Sequence, residues 1–176
     1  MFTKIISYTL RLTILCVVTA FFLSLVYGKT KPMIEEQIKT IDNRARKEVL
    51  PLADRFEQIS ENYFMAYDKN GSKVGKIVKS SQRGYGGQIK IMVGVDNEEK
   101  IVGIKILEHY ETPGLGDEIT KKKFTLQFNH RTVSELRLKK DNGSIDAITG
   151  ATISSKACVA AVRSGLEYLK QYEPGK

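Results

Sequence analysis

Apolar residues run almost unbroken from Ile5 to Tyr27, with Arg11 the only charge among 23 residues. A helix of that length spans about 34 Å, enough to cross a bilayer. Arg11 stands in the second turn, where its long side chain can snorkel back to the interface. A cleaved signal peptide is the competing reading, but Tyr27-Gly28-Lys29 lacks the small-x-small pattern a signal peptidase requires. The stretch therefore reads as an uncleaved anchor over residues 1–28. Ile34, Ile38, Ile41, Ala45 and Val49 then recur at helical spacing with Glu35, Glu36, Lys39 and Arg44 between them. This pattern predicts an amphipathic helix from Lys31 to Leu50 that Pro51 ends. Leu52, Phe56 and Ile59 prolong the helical spacing, so residues 29–61 read as a helical connector.

The period then changes to two. Tyr63 to Asp68 and Lys73 to Ser80 flank Asn70-Gly71, a hairpin signal because both residues tolerate positive φ. Ile89, Ile91, Val93 and Val95 alternate with Lys90, Met92 and Gly94; Asp96 to Glu99 supply a turn before a strand from Ile101 to Leu107. The expectation is a meander of about four antiparallel strands. A short helix is predicted from Asp117 to about Gln127, while Arg131 to Lys140 fits helix or strand equally. The last element is a helix that Ser154 or Ser155 can cap, with Ala157, Ala160, Ala161, Ser164 and Gly165 on a small-residue side and Val162, Leu166 and Leu169 beside it. The predicted class is α+β: a single transmembrane helix followed by an antiparallel-sheet domain, residues 62–176, with flanking helices.

Composition narrows the chemistry. The 176 residues amount to about one domain with appendages. Formal charge is +8, but the basic excess is scattered among acids, with no basic helix or aromatic ladder, which argues against a nucleic-acid partner. Two Cys and two His lie far apart, so this chain alone is not expected to hold zinc or an iron-sulfur cluster. Cys16 and Cys158 fall in different media and read as free, unreactive thiols. Lys4, Arg11 and the α-amino group nearly balance Lys29 and Lys31 across the span. A very short N-terminal tail ordinarily stays in the cytoplasm, which places residues 29–176 outside.

The segment Asp146-Ala147-Ile148-Thr149-Gly150-Ala151-Thr152-Ile153-Ser154-Ser155 leads directly into the last helix. Unpaired first-turn amides and the positive end of a helix dipole favour an anionic group such as a phosphate. Gly150 and Ala151 let backbone approach it, and Thr149, Thr152, Ser154 and Ser155 have hydroxyls to donate. The plain alternative is an ordinary helix cap with nothing bound. Lys156 either balances such a phosphate or is a solvated first-turn residue.

Asp146-x-x-Thr149-Gly150-Ala151-Thr152 resembles the flavinylation motif of the FMN-binding domain in the RnfG/RsxG subunit of Rnf electron-transport complexes and the NqrC subunit of sodium-pumping quinone reductases. Glu111-Thr112-Pro113-Gly114-Leu115-Gly116 resembles that family's Glu-Thr-Pro-Gly-Leu-Gly loop, and Gly84-Tyr85-Gly86-Gly87 lies where the family has a Gly-Tyr-rich turn. With the anchor, the resemblance covers essentially the whole chain, and the compact length is more similar to RnfG than to NqrC. It implies FMN covalently attached through its phosphate to Thr152 by a separate FAD-dependent flavin transferase. A lone threonine hydroxyl is a poor nucleophile, which fits the need for an external catalyst. Asp146 would orient the substrate loop or coordinate the transferase's metal, or else form an Asx turn. Tyr85 and the Glu111–Gly116 loop (Glu111, Thr112, Gly114 and Leu115, with Pro113 fixing φ and Gly114 and Gly116 opening room) would hold the isoalloxazine, the electron chemistry belonging to the flavin. The implied protein is a subunit of an ion-translocating oxidoreductase with no self-contained substrate site, in the prokaryotic inner membrane with RnfA, RnfB, RnfC, RnfD and RnfE as partners. The alternatives are an NqrC-type subunit, a membrane-tethered flavin-binding regulatory module, or a binding module without cofactor.

Overall fold

The computed structural model describes residues 2–172. The chain divides within its first helix into two compact units, Met1–Ile41 and Asp42–Lys176. Helix α1 runs from Phe2 to Val49. Pro32 lies inside it, so one backbone hydrogen bond, to the Gly28 carbonyl, cannot form. In the first unit the helix is exposed almost throughout, and it is long and apolar enough to cross a membrane. Hydroxyls in its apolar stretch turn back onto its own carbonyls: Thr9 to Ile5 at 3.0 Å, Thr13 to Thr9 at 2.9 Å and Thr19 to Leu15 at 3.0 Å. Each leaves no unpaired donor to face hydrocarbon.

The second unit is built on a sheet in the order β1-β2-β3-β4-β5, every neighbouring pair antiparallel. The strands are β1 Arg55–Ser60, β2 Tyr63–Tyr67, β3 Lys73–Arg83, β4 Gln88–Val95 and β5 Ile101–Glu108. The predicted α+β class and the meander are thus present, with two corrections. First, the helical connector stops at Val49, and residues 55–60 form a fifth strand. Leu52, Phe56 and Ile59 match helical spacing, yet Leu52 and Ile59 are exposed and only Phe56 packs on the core. After Pro51, the free edge of β2 supplies backbone partners that a further helical turn lacks; Asp54 N–H to the Tyr67 carbonyl, at 2.8 Å, opens that ladder. Second, of the Asn70-Gly71 pair only Gly71 takes positive φ, 81°, because Asp68 Oδ1 accepts the Asn70 and Ser72 amides and shapes the turn itself.

Both faces of the sheet are covered. Ala45, Val49, Leu50 and Ala53 pack with Phe64, Ala66, Ile77 and Met92 on one side. Gly94 and Gly103 stand opposite each other on β4 and β5, and a side chain at Gly94 would run into Val49, whose Cβ lies 3.1 Å from its ideal Cβ position. The absent side chain is what lets the end of α1 lie on the strands. On the other face, Val78, Ile91, Val93 and Ile104 meet helix α3, Thr152–Gln171, through Ala157, Ala161, Val162 and Leu166. Gly165 rests against Val78, and Ser80 Oγ donates to the Ala161 carbonyl at 2.8 Å. Ala160 and Ser164, predicted on the same side, turn outward because each lies about 100° around the helix from its buried neighbour.

Between β5 and α3 the predicted helix over 117–127 is broken into a 3-10 turn, Gly116–Thr120, the short α2, Lys122–Thr125, and a second turn, Leu126–Phe128; Lys121 is extended between them. Residues 131–140 become two more 3-10 turns, Val133–Glu135 and Lys139–Asp141, with a parallel bridge between Leu138 and Ile145. Leu136, Leu138 and Ile145 plug the core beneath them. Cys16 and Cys158 are both free, and burial pushes the Cys158 thiol up.

Candidate functional site

Three segments converge at the start of α3. Residues Ile148 to Ala151 form a turn closed by the Ala151 N–H to the Ile148 carbonyl at 3.0 Å, with Gly150 in its third position at φ 78°. That conformation favours glycine. The cap position of α3 is Ala151, which corrects the expected capping by Ser154 or Ser155. Both serines are instead inside the first turn and buried. Ser155 Oγ donates to the Ala151 carbonyl at 2.9 Å and accepts the Ile148 amide at 3.0 Å, pinning the turn to the helix. With no side-chain cap, the first-turn amides of α3 face the adjoining space unpaired by the helix.

The second segment follows β5. The Thr112 carbonyl gathers the amides of Leu115 at 3.2 Å, Gly116 at 3.0 Å and Asp117 at 3.3 Å, while Gly114 sits at φ 74°. Glu111 is only 5% exposed, and its carboxylate reaches the third segment, accepting the Gly86 amide at 3.1 Å and the Tyr85 amide at 3.3 Å. The Ser154 hydroxyl donates to the same carboxylate. One buried side chain therefore ties the Gly84–Gly87 turn, the Glu111–Gly116 loop and the first turn of α3 together.

The result is a cleft of about 580 Å³ lined by Tyr85, Glu111, Thr112, Leu115 and Gly116 on one side and Gly150 to Ser154 on the other. Thr152 is half-buried in it. Tyr85 at 72%, Ile153 at 56% and Leu115 at 43% exposure form an apolar rim. An uncapped helix start at one wall and exposed aromatic and aliphatic groups at the rim suit a ligand with an anionic end and a planar apolar end. FMN has both, so these residues fit it.

Eight sequence candidates line this cleft: Tyr85, Glu111, Thr112, Leu115, Gly150, Ala151, Thr152 and Ser154. The structure puts the other four elsewhere. Thr149 and Asp146 line a separate cleft of about 480 Å³ with Phe124 and Gln127, and Asp146 pairs with Lys139 at 2.8 Å. Ser155 is spent on the loop, and Gly114 only turns its own loop. Lys156 is exposed and pairs with Asp141 at 3.3 Å. Two further residues line the Thr152 cleft: Gly116, which belongs to the Glu111–Gly116 loop expected at the ring, and Ile153, to which the sequence assigned no role. Gly116 makes a close approach, since a Cβ there would lie 2.8 Å from Glu111 Cβ and 3.0 Å from Ser154 Oγ. Ile153 carried a signal, as the one large apolar residue among the hydroxyls of the helix start.

Comparison with known proteins adds independent findings. The FMN-binding domain family matches residues 84–167. The RnfG-type subunit of the ion-translocating oxidoreductase complex of Methanosarcina acetivorans is 33% identical, over 97% of this chain and 96% of its own length. Its counterpart in the proton-translocating ferredoxin:NAD(+) oxidoreductase complex of Clostridium ljungdahlii is 31% identical, over 98% of this chain and 96% of its own. Among solved structures, NqrC of Shewanella oneidensis aligns with a TM-score of 0.51 at 18% identity, over 69% of this chain and 73% of that one. The NqrC-type component of the Na(+)-translocating NADH-quinone reductase of Parabacteroides distasonis gives 0.53 at 23%, over 65% and 63%. At these identities the two structures speak to the fold alone.

Proposed function

The chain belongs to the RnfG family of ion-translocating oxidoreductase complexes, and we propose that it relays electrons through an FMN held covalently on Thr152. The observation that carries this reading is the position of Thr152, at the uncapped start of α3 and inside a cleft rimmed by Tyr85, Leu115 and Ile153. The first-turn amides of α3 and the positive end of its dipole would hold the phosphate of a flavin joined to the Thr152 oxygen. Tyr85, Leu115 and Ile153 along the rim would take the ring, while Glu111 keeps the two loops in place. When bound, the flavin supplies the one- and two-electron chemistry; the protein sets its orientation and exposure.

Attachment is the work of a separate flavin transferase with this chain as its substrate: the pyrophosphate bond of FAD breaks, AMP leaves, and the Thr152 oxygen gives up its proton as it takes the FMN phosphoryl group. No base adjoins Thr152 along the chain except Lys156, and that side chain is held by Asp141. Asp146 and Thr149 face a different cleft from Thr152, which suits recognition by the transferase more than retention of flavin. The partners are RnfA, RnfB, RnfC, RnfD and RnfE. Helix α1 anchors the chain in the cytoplasmic membrane with the sheet domain outside. Protease added to sealed right-side-out cells should cut the domain, and full protection would reverse the orientation.

An NqrC-type assignment is less well supported, because near-full-length sequence likeness runs to RnfG-type proteins, whereas the NqrC likeness is one of fold. The test of function uses native membranes. A Thr152→Val chain should assemble with its partners yet abolish electron transfer from reduced ferredoxin to NAD(+), the reaction named for the Clostridium relative. Undiminished transfer by the assembled variant would refute the relay.

A further inference from the structure

A second groove, of about 600 Å³, runs beside the flavin cleft between the end of β3, residues 137–141 and the outward side of α3. Ile153 lines both and forms the wall between them. Four cationic side chains, Arg83, Arg137, Lys156 and Arg163, face a single carboxylate, Asp141, which Lys156 already holds at 3.3 Å. Among the described residues, none of the three arginines has an acidic partner within ion-pair distance. Arg163 donates to the Leu136 carbonyl, a contact that leaves its charge uncompensated. Arg83, Arg137 and Lys156 are exposed, and the floor between them is short and apolar, from Ala157 and Ala160.

This arrangement is poor as a cage for a small anion, since the charged heads stand in solvent and no buried polar side chain converges on the space. It is good as a steering surface: a concave patch of one sign raises the local concentration of an oppositely charged partner and its rate of encounter. The geometry points to this groove as the docking face for an acidic segment of the protein that exchanges electrons with the flavin, an inference that rests on the reading of Thr152 above. Docking forms and breaks no covalent bond, and each electron gained by the partner's redox centre is one lost by the flavin, or the reverse. A partner seated here lies against Ile153 and thus next to the flavin cleft.

The test places a photo-crosslinking residue at Ala160 in the full chain in native membranes, with Asn70 in the β2–β3 turn as the control position. The expected adduct at Ala160 is a protein segment in which Asp and Glu exceed Lys and Arg. Capture should fall at least fivefold in an Arg83→Glu/Arg137→Glu chain, fall likewise in high salt, and return when the captured acids are changed to Lys. Adducts only to phospholipid, nucleotide or the flavin itself, a captured segment without acidic excess, or capture indifferent to the charge reversal would each overturn the docking face. In-gel flavin fluorescence of the same sample separates the two claims. Flavin present without an acidic adduct refutes the docking face alone, whereas an acidic adduct on a chain devoid of flavin overturns the electron-exchange assignment together with the reading of the cleft.

Discussion

Replacing Glu111 with Ala is the sharpest probe of how the cleft is held together. The carboxylate is buried and serves the Tyr85 and Gly86 amides and the Ser154 hydroxyl. Tyr85 and Gly86 are exposed, so water can take over their amides, and losing those two charge-assisted bonds costs about 1 kcal/mol in all. Ser154 is 2% exposed, and stranding its hydroxyl costs a further ~1–3 kcal/mol. The sum is about 2–4 kcal/mol, which at a urea dependence of about 2 kcal/mol per M lowers the unfolding midpoint by about 1–2 M. Glu111→Gln keeps one acceptor for the amides and presents an NH₂ to the Ser154 oxygen, so it should cost only about 1 kcal/mol. Urea unfolding of the full chain in detergent, followed by tyrosine fluorescence, measures both; the chain has eight Tyr and no Trp. The reasoning fails if the Ala variant lies within about 0.5 kcal/mol of the parent, or if Ala and Gln cost the same.

Other expectations follow from particular contacts. Thr152→Ser, coexpressed with a flavin transferase, should keep covalent flavin by in-gel fluorescence, and Thr152→Val should lose it while unfolding at an unchanged midpoint. Gly150→Ala forces a Cβ into positive φ, at about 1–2 kcal/mol, and to 2.9 Å from Leu115 Cδ1, so both stability and the mass-measured fraction of flavinylated chain should drop. Burial, with Tyr67 nearby, pushes the Tyr63 phenol above its usual value. Its contribution to stability is therefore complete below pH of about 10 and drains as pH climbs through the raised folded value. Tyr63→Phe should flatten the alkaline loss, as read from urea midpoints between about pH 9 and 11.

Much of this architecture is written in local patterns. The alternation of Ile89, Ile91, Val93 and Val95 set β4, and the spacing of Ala157, Ala161 and Gly165 set the packed side of α3, because each pattern records one buried face. Residues 55–60 escaped the same reasoning. An edge strand with one core residue carries almost no alternation, and what recruited it was the open edge of β2, a property of the folded sheet. The site divides in the same way. Thr152 and its neighbours stood out through hydroxyls at a helix start, which is local chemistry. The part played by Glu111 rests on Ser154, 43 residues away, and on amides 25 and 26 residues upstream. No spacing in the sequence records such a contact. Ser154 and Ser155 looked like caps for that reason, although their partners turn them inward.

The most direct measurement is peptide mass spectrometry across Ile145 to Lys156 on the chain isolated from its native membrane. A single FMN phosphoester adduct localised to Thr152 by fragmentation is the predicted result. An unmodified peptide, or an adduct on Thr149 or another hydroxyl, would contradict the assignment of Thr152 as the residue that carries the flavin.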